Sequence, residues 1–246
     1  MLYQDRERLI DYIEELNDKT FILEIPKEVL ADDINWDLYM SYSEKVNFIL
    51  CIHNLHLAKI CAEKNIKFYW AYPVFSWYEF TGLVALNPCY ITVGAPLSFN
   101  LKKIKDKTNI PLRICPNLAY DAYIPRENGI YGTWVRPEDI PTYEQYVDVC
   151  DFITDELSKE ATLLHVYKEN KTWPGNLFLL FTNFGIHVDN RAIPDEIGEM
   201  RANCGQRCME NGACHFCETA MKFANAVRHK HYEDNKITPT PPTDEI

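Results

Sequence analysis

Short apolar runs recur at a spacing of just over twenty residues between Ile66 and Asp139. They are Ile66–Val74 (IKFYWAYPV), Cys89–Pro96 (CYITVGAP) and Ile110–Pro116 (IPLRICP). The intervening segments, WYEFTGLVALNP and LSFNLKKIKDKTN, place apolar residues at helical spacing and end in turn signals. Buried strands alternating with helices predict βαβ units and a parallel sheet. Phe21–Pro26 (FILEIP) is the expected first strand, and Tyr131–Arg136 (YGTWVR) a further one. That makes five strand candidates, where a complete (β/α) barrel needs about eight. An incomplete barrel, an open doubly wound sheet and undetected strands all fit this count.

The remaining periodicity is helical. Met1–Lys19 sets Leu9, Ile10, Ile13 and Leu16 on one face. Tyr42–Lys64 is expected as one long helix with Val46, Ile49, Leu50, His53, Leu57 and Ile60 along its apolar stripe. Pro141–Leu157 is expected as a helix with Tyr146, Val149, Cys150 and Ile153 inward, continuing as Leu157–Tyr167. Asn176–Phe184 suits a strand or a buried helix. Thr219–His231 predicts a helix with a basic end, and Asn235–Ile246 a disordered tail. The expected fold is α/β: a (β/α)-barrel-like or partial barrel with parallel strands over 1–195, a four-cysteine metal module with its helix over 196–232, and a tail over 233–246.

Charge and cysteine content narrow the partners. A net charge of −11 over 246 residues disfavours a general nucleic-acid surface, because phosphate contacts need Lys and Arg. Met1–Leu9 is charged and no long apolar run follows, so neither a signal peptide nor a membrane span is expected. The expected location is cytoplasmic, where the nine cysteines would stay reduced. Cys51, Cys61, Cys89, Cys115 and Cys150 lie mostly in apolar runs and read as inert buried thiols.

The strongest chemical signal is Cys204-x3-Cys208-x5-Cys214-x2-Cys217. Four thiolates in so short a stretch can surround one zinc ion tetrahedrally; an iron–sulfur cluster takes the same ligands, and unmetallated thiols are the plain alternative. A second constellation is positional, since ligands of parallel α/β folds sit at the carboxyl ends of strands. Those ends bring Glu79, Arg136 and Glu138 forward, Arg136 as an anion clamp and the glutamates as acid or base. The structural alternative is that Ser76 and Glu79 form a capping box and that Arg136 pairs with a neighbouring carboxylate. His53 and His56 read as core or groove residues, and His187 with Asp189 as a weak metal pair. No dinucleotide, P-loop, nucleophile-elbow or HExxH motif is present.

The run YWAYPVFSWYEFTGLVALNPCYITVGAPL with IPLRICPN resembles the barrel strands of the collagenase-like peptidase family. With GTWVRPED and the late cysteines it also resembles barrel-like proteins of tailed phages and related mobile elements. The resemblance implies a (β/α) barrel with a cysteine cluster, in some members an RNA-modifying enzyme that binds iron. The peptidase family's glutamate-phenylalanine-cysteine signature is not present in that form, and no catalytic residue carries over. The expected function is therefore a metal-binding structural or interaction protein on a degenerate barrel, self-associating or bound to a protein partner. The alternative is an iron- or iron–sulfur-dependent enzyme with its site at the strand ends.

Overall fold

The computed structural model describes residues 20–202, apart from 95–96, 119–134, 155–156, 182–188, 194 and 196. The expected helix at Met1–Lys19, most of Tyr131–Arg136, and everything from the cysteine cluster onward lie outside these residues. The chain divides into two compact units, the first ending at Thr92 and the second beginning at Val93.

The first unit runs β1 (Thr20–Glu24), α1 (Trp36–Lys45), β2 (Asn47–Ile52), α2 (Leu55–Glu63), β3 (Phe68–Trp70), α3 (Trp77–Val84) and β4 (Ile91–Thr92). Its sheet has the order β1-β2-β3 with both pairs parallel, Phe21 opposite Phe48 and Cys51 opposite Tyr69. β1 alternates exposed and buried positions, as an edge strand does, whereas β2 is buried from Phe48 to Ile52. One sheet face packs on the helices. Phe48 stacks on Phe21 at 5.7 Å and on Tyr39 at 5.8 Å, and meets Tyr42 edge-on at 5.8 Å. The other face carries a smaller cluster of Ile49, Cys51 and Tyr69.

Caps mark the helix boundaries. The Asn35 side chain accepts from Leu38 N–H at 3.2 Å to start α1, and Asn54 accepts from His56 N–H at 2.8 Å to start α2. Asn65 and Asn87, just beyond α2 and α3, have φ of 55° and 52°, the left-handed conformation that asparagine tolerates in stopping a helix.

The expected long helix over Tyr42–Lys64 is not formed. Its middle is strand β2, flanked by the end of α1 and the start of α2. An unbroken apolar run such as NFILCI satisfies helical spacing and a doubly buried strand equally well. Neighbours on both sides decide in favour of the strand: Leu50 N–H donates to Lys67 O at 2.9 Å, and β1 pairs along the other edge.

In the second unit, a 3-10 turn (Leu97–Asn100) leads into α4 (Leu101–Lys105), followed by β5 (Leu112–Ile114), α5 (Ile140–Glu144), β6 (Val149–Cys150), α6 (Leu157–Glu169) and α7 (Ile197–Ala202). β5 and β6 are parallel, with Arg113 opposite Val149 and Ile114 opposite Cys150. Val93 N–H donates to Arg113 O at 2.7 Å along the other side of β5. The expected helix over Pro141–Leu157 stops at Glu144, and Val149–Cys150 is strand. Asp148 explains the change: its N–H donates to Leu112 O at 2.8 Å and its carboxylate accepts from Leu112 N–H at 2.8 Å. Asn176–Phe184, expected as strand or helix, holds a 3-10 turn at Leu177–Leu179.

The α/β class with parallel strands is thus observed, but the described strands form small sheets and not a closed barrel. Among the described residues, no helix is long and apolar enough to cross a membrane.

Asp148 makes this pairing pH-sensitive. Burial raises its carboxyl pKa, but Lys105 Nζ at 2.7 Å, the Leu112 N–H and the lysine charge together outweigh that and hold it below the usual value. A carboxyl depressed in the folded state adds stability above its unfolded pKa, and that stability is lost as pH falls through the folded pKa. The Tm advantage of wild type over Asp148→Asn should therefore shrink as pH drops below about 4. Melting curves with a pH-independent gap would refute this role.

Candidate metal centre

Strand alternation builds one cluster of metal-ligating side chains in the first unit. Residues i and i+2 of a strand share a face, so Cys51 and, one step past the end of β2, His53 follow Ile49 on the same side. The parallel register sets Glu24 of β1 directly beside Cys51. One donor atom from each of Glu24, Cys51 and His53 lies within 4.8 Å of the other two. The cluster sits at the carboxyl ends of β1 and β2, the rim where parallel sheets present their ligand sites.

The environment is graded from dry to wet. The Cys51 thiol is buried, His53 is 14% exposed and Glu24 is 64% exposed. His53 Nε2 and Glu24 Oε1 share a hydrogen bond of 2.8 Å. The other ring nitrogen, Nδ1, is buried with no hydrogen-bond partner among the described residues. A buried polar atom without a partner costs about 1–3 kcal/mol. The Tyr72 and His53 rings meet in a T-shaped pair, centroids 5.0 Å apart, and Trp70 meets Tyr72 at 6.2 Å.

Sulfur, imidazole and carboxylate donors together suit zinc or cobalt(II). Magnesium and calcium prefer all-oxygen shells. One thiolate and one carboxylate would cancel the charge of a divalent ion, and loading would expel the thiol proton.

The sequence-predicted site residues are occupied otherwise. Glu79 Oε2 accepts from the N–H groups of Phe75 and Ser76 and from the Ser76 hydroxyl, all at 3.1 Å, completing the capping box of α3. Arg136 is 1% exposed. Its Nε and Nη2 grip Asp139 at 2.7 and 2.9 Å, Nη1 donates to Asn190 Oδ1 at 3.3 Å, and Nη2 reaches Asp195 O at 3.3 Å. Glu138 lies 3.5 Å from Nη1 and accepts from Asn190 Nδ2 and from Trp173 N–H. Asp139, directly after Glu138, completes the fork that holds Arg136. The guanidinium that suited an anion clamp is bonded to protein groups and closed to solvent.

Close by, the Tyr167 hydroxyl donates to Val135 O at 2.8 Å. Burial above all, then the nearby Cys115, Glu138 and Asp139, push this phenol well above its ordinary pKa, so it stays a neutral donor. Asp189 pairs with Arg191, and its expected partner His187 is outside the described residues, as are Cys204, Cys208, Cys214 and Cys217. His56 belongs to the first turn of α2.

Neither Glu24 nor Cys51 stands out in the sequence as a candidate ligand, and His53 reads there as a core or groove residue. The available signal was Cys51-Ile52-His53, which marks one face only once the segment is read as a strand.

No protein-family model, curated protein or solved structure matches the chain.

The Arg136 cluster generates a stability prediction. Removing one member of a buried ion pair costs about 3–5 kcal/mol, so Arg136→Ala should lower the stability of the second unit by roughly that amount. Gly198 of α7 gives an independent check, because a Cβ there would collide with the Asp139 carboxylate. Gly198→Ala should cost about 1–3 kcal/mol by overpacking. Chemical denaturation followed on both variants tests this, and wild-type midpoints would show that the cluster contributes little.

Proposed function

We propose that the chain is a metal-binding structural or interaction protein. One zinc-class ion is held by Glu24, Cys51 and His53, and a second by Cys204, Cys208, Cys214 and Cys217. The observation that carries the first site is the convergence of sulfur, nitrogen and oxygen donors on one sheet face, two from β2 and its extension and one from its in-register neighbour. His53 Nε2 facing Glu24 Oε1 at 2.8 Å supports it. The second site rests on cysteine spacing alone. In this reading the parallel sheets are the open relic of a (β/α) barrel, in keeping with the collagenase-like resemblance, and the metal ions fix the chain for contact with a partner or a second copy. Both sites need reduced thiols, so the reading also requires a reducing compartment.

Element analysis of the full chain should find two equivalents of zinc. Cys51→Ser with His53→Ala should remove one of them, and Cys204→Ser with Cys214→Ser the other. The affinity lost with His53→Ala should exceed the 10–100-fold, approximately, that follows loss of an outer-shell partner. Full metal content in the Cys51/His53 variant would defeat the first site. Brown, iron-loaded protein dependent on the four late cysteines would favour the iron–sulfur enzyme instead.

A further inference from the structure

We propose that the metal held by Glu24, Cys51 and His53, a reading on which this inference rests, keeps an open coordination position. That position takes an outside ligand with an aromatic body and a singly charged donor group, seated against Tyr72. Among the described residues the cluster supplies three donors, whereas zinc sites closed by protein alone usually have four. The solvent side of the cluster is wet, with Glu24 64% exposed and Tyr72 45% exposed. An ion on the sheet face is thus walled by the buried Cys51 on one side and reachable on the other.

The ligand class follows from charge and shape. A divalent ion already balanced by a thiolate and a carboxylate has little excess charge with which to attract a multiply charged anion such as phosphate. Affinity beyond the metal bond must come from the neighbouring surface. That surface includes the Tyr72 ring, which lies at 70° to the His53 ring with centroids 5.0 Å apart. An exposed ring beside a metal site offers stacking area to a planar ligand.

Cobalt(II) reports the coordination. The difference spectrum between the cobalt-loaded full chain and its Cys51→Ser/His53→Ala variant isolates this centre from the late cysteines. Benzohydroxamate should shift the difference spectrum, and acetohydroxamate should do so about 3- to 10-fold more weakly, the ratio one aromatic contact supplies. Inorganic phosphate should leave it unchanged. Tyr72→Ala should abolish the gap between the two hydroxamates, and Tyr72→Phe should keep it. An intact difference spectrum that neither hydroxamate moves would overturn the open position while leaving the metal site standing. Equal affinities in wild type, or a gap that survives Tyr72→Ala, would overturn the aromatic seat. No difference spectrum at all would remove the metal reading and this inference together.

Discussion

The parallel pairing of β1 with β2 is the constraint on which the first unit depends. It sets Phe21 against Phe48 on one face and Glu24 against Cys51 on the other. A slip of one residue would turn the aromatic core outward and separate the acid from the thiol. The large apolar face therefore secures the register of the small polar one. Because the core residues Leu23, Phe48, Leu50 and Ile52 are wholly buried, a slipped sheet would expose several side chains worth about 1.5–3 kcal/mol each. The Glu24, Cys51 and His53 group at the strand ends is positioned by packing several residues away.

The second unit solves a different problem. A guanidinium withdrawn from water needs nearly all its donors matched. Arg136 meets that need with Asp139, Asn190 and the Asp195 carbonyl, drawn from well-separated stretches of chain. Glu138 ties Asn190 and Trp173 into the same cluster. These bonds tie together the loops beside α6, whose Tyr167 hydroxyl also donates to Val135 O. The same saturation that makes Arg136 a good anchor leaves it poorly suited to bind substrate.

Much of the strand–helix alternation was legible. FILEIP, IKFYWAYPV, CYITVGAP and IPLRICP each contain a strand, because each is a short apolar run bounded by proline or asparagine turns. Two predicted helices contained hidden strands. NFILCI and the Val149–Cys150 pair have no local feature that excludes a helix, and pairing partners distant in sequence decide them. The strand assignment of β2 is also what brings the candidate metal cluster together. On a helix, residues 51 and 53 point apart; on a strand they share a face.

Local chemistry written in adjacent residues could be read directly: the Ser76–Glu79 capping box, the turn signals after α2 and α3, and the nearness of Arg136 to Asp139. These need only neighbours within a few positions, so the order of residues determines them. Two things belong to tertiary structure alone. One is that Arg136 would be buried rather than presented at a strand end, which required Asn190 and Asp195 to fold over it. The other is that Glu24 would stand beside Cys51, residues 27 positions apart brought together by sheet register. Hydrogen bonds between strands ignore sequence distance, and periodicity within a strand holds no record of its partner.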